Sequence, residues 1–258
     1  MVPDRTVALL DKFRSAIDGY FVRGEARGKI IVPPVFFTNY ADEYPELKIF
    51  EENQAIIREE CINLLNKSLP LPNIDVLAGD YTQSALHYAK WKVFTFRIGK
   101  NIPANCVLAP KTAEMINKTP GIFTAFFSIL HPKQQLVPHW GYYKGFLRYH
   151  LGVIIPKDNQ DNECWLRIND DKEQNARCDK NLVSNGKKYF WKNGQGLLFD
   201  DTYLHDAANE TDEIRVVLWL DIYRRMPFPY NIVNRLILAI TRQTGFLKRS
   251  RAQARLNI

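Results

Sequence analysis

Residues 214–223 read IRVVLWLDIY. Successive side chains of an extended strand point to opposite faces. Ile214, Val216, Leu218, Leu220 and Ile222 therefore share one wholly apolar face, and Arg215, Val217, Trp219 and Asp221 share the other. LRYHLGVII, residues 147–155, divides the same way: Arg148, His150 and Gly152 against Leu147, Tyr149, Leu151 and Val153. Both segments have the apolar density of core strands. A buried arginine or histidine without a partner is costly. Arginines facing inward from two core strands suggest an anion held between them. The competing reading puts both on solvent faces or pairs them with Asp or Glu.

Other segments extend this pattern. KVFTFRIG (92–99), GIFTAFFSIL (121–130), CWLRI (164–168), KKYFW (187–191) and GQGLLFDD (194–201) are short, rich in β-branched or aromatic residues, and separated by turn residues. Seven or eight such strands fit a sandwich or barrel, the jelly roll included. Ahead of them the period is helical. TVALLDKFRSAIDGYF (6–21) spaces Val7, Leu10, Phe13 and Ile17 along one face. VPPVFF (32–37) breaks the chain, Pro45 suits a first helical turn, and LPLPN (69–73) ends the next helix. KTAEMINKT (111–119) is a further short helix. The expected fold is mainly β with flanking helices. It reads as one domain, with an N-terminal helical region over 1–75, a β core over 76–226 and a basic amphipathic tail over 227–258.

The chain has 258 residues, 46% hydrophobic and 24% charged, the balance of a soluble globular protein. Its four cysteines form no CxxC pair, which argues against a disulfide framework or a zinc site. No run approaches the roughly 20 apolar residues needed to span a bilayer. Asp4, Arg5, Asp11, Lys12 and Arg14 interrupt any signal-like segment. A cytoplasmic location is expected. The net charge of +7 is unevenly placed: eight cations and no acid follow Asp221, leaving the first 221 residues at −1. NRLILAITRQTGFLKRSR (234–251) mixes those cations with Leu, Ile and Phe. Such a segment can dock on its own domain or lie on an anionic membrane surface. Nucleic acid is the least favoured partner.

His139 and His205 are candidate metal ligands. The facial triad of non-haem Fe(II) oxygenases joins two histidines to a carboxylate two residues after the first. Here that position is Gly141. Asp200, Asp201 and Asp206 offer oxygen ligands, although Asp also closes turns, and that reading is preferred for FDD (199–201).

Taken in order, FFSILHPKQQLVPHWG (126–141), LRYHLGVIIP (147–156) and GQGLLFDDTYLHDAANETDEIRVVLWLDIYR (194–224) closely resemble the aspartyl/asparaginyl β-hydroxylase family. YPELKIFEENQAIIREE (44–60) and APKTAEMI (109–116) are similar to its bacterial branch, which 2-hydroxylates acyl chains of lipid A and ornithine lipids. The resemblance implies a double-stranded β-helix (a jelly roll, cupin-like), Fe(II) and 2-oxoglutarate as cofactor and co-substrate, and O2 as oxidant. It implies that His139 and His205 bind the iron. Arg215 would pair with the distal carboxylate of 2-oxoglutarate, with Ser128 beside it. Arg148 and His150 would line the pocket near the chelating end. Gly141 matches the aspartyl hydroxylases, and an Asp stands there in the lipid branch, so one more iron position near Gly141 is expected to open to solvent. Phe146 replaces an arginine that grips a substrate carboxylate in the aspartyl hydroxylases. With the basic tail, it favours an acyl chain of a membrane lipid, of lipid A type, reached peripherally from the cytoplasmic face of the inner membrane. The alternatives are a protein or peptide Asp/Asn hydroxylase and a catalytically silent jelly-roll binding module.

Overall fold

The computed structural model describes residues 5–75 and 90–256. Among the described residues ten strands form two antiparallel sheets. In chain order they are β1 (Trp91–Ile98), β2 (Lys100–Asn101), β3 (Ile122–Leu130), β4 (Gln134–His139), β5 (Phe146–Ile154), β6 (Cys164–Asn169), β7 (Lys187–Phe190), β8 (Gly196–Phe199), β9 (Leu204–Asn209) and β10 (Arg215–Tyr223). The larger sheet runs β2-β1-β3-β10-β5-β8 and the smaller β4-β9-β6-β7. The expected double-stranded β-helix is present.

The alternation in β5 and β10 sets the layers. Leu147, Tyr149, Leu151, Val216, Leu218 and Leu220 form the outer face of the larger sheet. Helices α2 (Lys48–Glu52), α3 (Gln54–Asn66), α4 (Pro103–Cys106) and α5 (Pro110–Lys118) flank it, and Phe50, Ile57, Leu64, Ala113 and Ile116 pack onto that face. Burying a residue such as Leu or Phe contributes roughly 1.5–3 kcal/mol, so this helix layer is a main part of the core. The opposite face meets the smaller sheet: Trp91, Phe126, Leu197, Phe199 and Val217 pack against Leu136, Leu166, Ile168 and Ala207. The charged residues of β5 and β10 lie in this inter-sheet layer. Register pairs Arg148 with Asp221, His150 with Trp219 and Gly152 with Val217.

Besides the two-residue β2, two strands escape the sequence reading. β4 (QQLVPH) is polar and holds Pro138, tolerated because β4 is an edge strand. β9 (LHDAAN) lacks a strand-like composition but is buried along its length, paired on both sides. His139 thus ends a strand where the sequence suggests a start, and His205 lies inside one.

The C-terminal segment is not a free tail. After α6 (Lys172–Ala176) the last helices are α7 (Tyr230–Thr241) and α8 (Gly245–Ala254). Tyr230, Leu238, Leu247 and Ala254 are buried with Phe21 of α1 (Arg5–Ala26), Phe123 and Phe146. Asn105 fastens the end: its Nδ2 donates to Ala254 O (2.9 Å) and its Oδ1 accepts from Leu256 N (2.9 Å). The expected single basic helix is therefore two helices that complete a third apolar cluster. His87, which sequence reasoning gave no role, lies outside the described residues.

Candidate active site

β4 and β9 pair so that His139 and His205 are register partners. Their rings lie 4.2 Å apart, centre to centre, at 51°. Each Nδ1 is 2.8 Å from the carbonyl two residues earlier, Val137 O and Tyr203 O respectively. A carbonyl partner calls for Nδ1–H as donor, which leaves each Nε2 with a lone pair. A metal-ligating imidazole commonly has this second hydrogen bond. Burial pushes the His139 ring down to about 4 and holds His205 well below its ordinary value. Both are neutral at physiological pH, as ligands must be.

The space that a side chain at Gly141, two residues after His139, would enter is taken by another side chain. A Cβ on Gly141 would lie 2.1 Å from Asp201 Oδ2 and 2.6 Å from Oδ1. Gly141 N also donates to Asp201 O at 2.7 Å. The Asp201 carboxylate, arriving from the β8–β9 turn, fills the space a side chain at 141 would enter. Turn closure does not describe Asp201. Turn closure does describe Asp200, whose Oδ1 accepts from Thr202 N (3.0 Å) and Oγ1 (2.5 Å). Asp206 pairs with Arg167 (2.6 Å). Asp201 is held by Arg148 Nη1 at 2.6 Å. Burial nevertheless pushes its carboxyl up to about 6, with Asp221 and Asp200 adding to the effect. Gly141→Asp alone is accordingly expected not to build a three-ligand site. It should cost about 1–3 kcal/mol through overpacking, and Asp201→Gly added to it should recover the loss. Thermal unfolding of the single and double variants checks this.

The two inward arginines have different fates. Arg148 is neutralised: Asp221 Oδ1 lies 3.1 Å from its Nε and Nη2, Asp201 takes Nη1, and the guanidinium stacks 3.9 Å above Trp219. Arg215 is 2% exposed and has no carboxylate partner among the described residues. Its Nε is buried without an acceptor, its guanidinium lies 4.7 Å from the Trp191 ring, and burial pushes it down to about 10. A cation held at this cost in an inter-sheet cavity fits an anion that supplies the missing charge. His150, Arg148, His139 and His205 line the same cavity.

His150 adds a second orphan. Among the described residues neither of its ring nitrogens has a hydrogen-bond partner. Ser128 lies across from Val217 on the Arg215 face, and its Oγ accepts from Trp91 Nε1 (2.8 Å). Its own hydroxyl proton remains available to a ligand. Trp91, Trp191 and Trp219 also line the cavity, and sequence reasoning missed all three. Phe146 packs against Phe123 and Tyr143 instead of lining it. It therefore offers no charge to a substrate carboxylate, and its effect on the substrate is indirect.

Burial holds His150 well below its ordinary value. A depressed histidine contributes stability above its unfolded pKa and loses it as pH falls below that value. The unfolded ring then takes up a proton that the folded ring refuses. This stability is lost as pH falls from 7 toward 5. His150→Phe is expected to flatten the pH dependence of the urea midpoint over this range.

A charge cluster beside the site was not anticipated. Lys144 Nζ lies 2.9 Å from Asp200 Oδ2 and 3.4 Å from Glu25 Oε1. Arg224 reaches the same two carboxylates at 3.5 and 2.7 Å. All four residues are buried. Burial alone would raise the Asp200 carboxyl, but Lys144 and Arg224 outweigh it and hold it below the usual carboxylate range. The cluster ties α1 to the β4–β5 loop, the β8–β9 turn and the chain after β10. No pattern in the sequence marks it, since Glu25, Lys144 and Arg224 come from three distant segments.

The profile of the aspartyl/asparaginyl β-hydroxylases matches residues 51–225, which span the whole site described above. This chain belongs to that family. Among relatives, the ornithine lipid ester-linked acyl 2-hydroxylase of Rhizobium tropici is 33% identical over 84% of this chain and 69% of its own length. Human aspartyl/asparaginyl β-hydroxylase is 28% identical over 70% of this chain. The match takes in about a fifth of the human protein (21%). A 2OG-Fe(II) oxygenase family structure from Burkholderia pseudomallei aligns at a TM-score of 0.38 and 10% identity, over 64% of this chain and 77% of its own. Family membership makes the chain one of a group of hydroxylases. It agrees with the double-stranded β-helix reached above from topology. Among the described residues no helix is long and apolar enough to cross a membrane.

Proposed function

We propose that this family member is an Fe(II)- and 2-oxoglutarate-dependent hydroxylase of a lipid-linked acyl chain. The observation that carries the cofactor reading is the unpaired, buried Arg215, facing the same cavity as two adjacent neutral histidines. His139 and His205 would hold the iron. Arg215 and Ser128 would hold the distal carboxylate of 2-oxoglutarate, and His150 and Arg148 would face its other end. The donor set fits both groups: imidazole Nε2 atoms ligate Fe(II), and a guanidinium binds a carboxylate through two parallel hydrogen bonds. When bound, the pair supplies O2 activation coupled to oxidative decarboxylation of 2-oxoglutarate to succinate and CO2, with hydroxylation of a substrate C–H bond.

The protein's own contribution is positioning and exclusion of water. The carbonyls of Val137 and Tyr203 fix the tautomer of each histidine. Asp221 and Asp201 lock the Arg148 fork, so it acts as a wall of fixed charge and not as a mobile donor. Trp91, Trp191 and Trp219 make the remaining walls apolar, which strengthens every ion–dipole contact inside. The lipid substrate is supported by similarity to the Rhizobium enzyme over most of this chain.

The test is succinate formation by the Fe(II)-loaded protein, together with mass spectrometry of lipids from cells with and without it. Stoichiometric succinate and a lipid heavier by one oxygen atom are expected. Succinate produced only with an Asp- or Asn-bearing peptide would move the substrate to proteins. No succinate with any substrate would leave a silent binding module.

A further inference from the structure

We propose that the outer face of α7, continued by Phe228 before it and Phe246 after it, is the surface that seats this protein on an anionic lipid bilayer. The proposal deepens the lipid-hydroxylase reading and rests on it for the task the surface serves. Thirteen large apolar residues are exposed among the described residues, and five of them fall within 228–246. Ile232, Leu236 and Ile240 recur every fourth residue along α7 and are 54%, 60% and 49% exposed, and Phe228, just ahead of the helix, is 76% exposed. Residues four apart in a helix lie on one face. Tyr230, Asn234 and Leu238, two positions offset and so on the opposite face, are buried. The helix therefore has two apolar faces, one inside the protein and one facing outward. An exposed apolar patch of this kind marks an interaction surface.

Charge selects the partner. Sequence counting suggests eight cations for the membrane, but the structure commits four of them elsewhere. Arg224 lies in the buried cluster, and Arg225 pairs with Glu46 (2.9 Å). Arg242 stacks on Phe123 and Tyr223, and Arg251 donates to Ile98 O. Arg235, Lys248, Arg249 and Arg255 remain exposed. The electrostatic share is thus halved, and the apolar stripe gives the surface its position. A second copy of the chain fits worse. A two-fold contact sets the same patch against itself, so a patch with cations and no acid in its segment would meet another of the same sign.

The inner face of the same helix holds the metal-site loop. Asn234 Oδ1 accepts from Tyr143 Oη (2.7 Å), and Asn234 Nδ2 donates to Gly145 O (2.8 Å). A Cβ on Gly145 would lie 2.2 Å from Asn234 Oδ1, so the approach requires glycine. That loop begins at His139 and includes Gly141, against Asp201. One helix thus carries the lipid-facing stripe on one side and the loop of the candidate iron site on the other.

The experiment sediments the full chain with vesicles of phosphatidylglycerol and phosphatidylcholine, and with phosphatidylcholine alone, at low and high salt. Wild type is compared with Leu236→Asp/Ile240→Asp and with Arg235→Glu/Arg249→Glu. Light scattering gives the mass of each protein, and thermal midpoints check folding. Wild type is expected to bind the anionic vesicles, less so at high salt, and each variant to lose about tenfold or more in partitioning. The thermal midpoints should be unchanged, because the substituted side chains are exposed. Equal sedimentation of wild type and Leu236→Asp/Ile240→Asp would overturn the proposal. So would absent binding by wild type, or a wild-type dimer that the variant makes monomeric. Binding to anionic vesicles without oxidation of any lipid would leave this surface standing and remove the lipid-hydroxylase reading.

Discussion

Arg215→Ala is expected to raise the 2-oxoglutarate concentration needed for half-saturation by roughly 30-fold to several thousand-fold. That range corresponds to the about 2–5 kcal/mol lost when one partner of a desolvated charge pair is truncated. The ligand-free protein should behave differently. Arg215 is buried with no carboxylate beside it, so removing it also removes an uncompensated charge. The thermal midpoint without ligand should hold or rise, while the stabilisation added by 2-oxoglutarate should disappear. Arg215→Lys keeps the charge but loses the planar fork, and an intermediate affinity is expected. Calorimetric titration of the metal-loaded variants measures all three. Unchanged affinity in Arg215→Ala would remove Arg215 from the co-substrate site.

Arg224→Met should be the most destabilising single change outside the apolar core. It leaves Glu25 and Asp200 sharing Lys144 alone in a buried setting. Breaking a buried ion network by removing one partner costs about 3–5 kcal/mol, which for a chain of this size lowers the thermal midpoint by roughly 6–20 °C. Adding Glu25→Gln removes the stranded carboxylate and should recover part of the loss. Differential scanning calorimetry of the single and double variants reads both effects. A drop below about 1 kcal/mol in the single variant would show that the cluster is solvated in practice and does not hold α1 to the site. An exposed pair such as Lys118–Glu114, with both side chains about half-exposed or more (66% and 49%), gives the contrast: its removal should leave the thermal midpoint nearly unchanged.

The core strands were legible because their alternation is strong. In β10 and β5 it separates the helix-covered face from the inter-sheet face correctly at every position discussed. The strands that carry the histidines were not legible. QQLVPH and LHDAAN gain their extended form from pairing with each other and with β6, and pairing across the chain leaves no periodic trace in either segment. The candidate ligands were found through the ordered motifs around them, not through local structure. Asp201 could not be separated from Asp200 by sequence: adjacent in FDD, one closes a turn and the other enters the space beside Gly141. The basic C-terminal segment was legible as charged and amphipathic. Which cations face solvent depended on Asp200, Glu25, Glu46 and Ile98 O, all far away in the chain.

The sequence by itself determined the two-faced strands, the shared face of Arg148 and His150 and that of Arg215, Trp219 and Asp221, and the family to which the motifs belong. These follow from the period of two in a strand and from residue order, and both are local. Only the tertiary structure decided that Arg148 is neutralised while Arg215 is left unpaired. A charge is satisfied by whatever carboxylate lies within a few ångströms, and that depends on strand register and on a turn more than fifty residues away, not on neighbours in sequence. The same reason placed the Asp201 carboxylate where Gly141 leaves room, and committed half of the C-terminal cations to partners elsewhere in the fold.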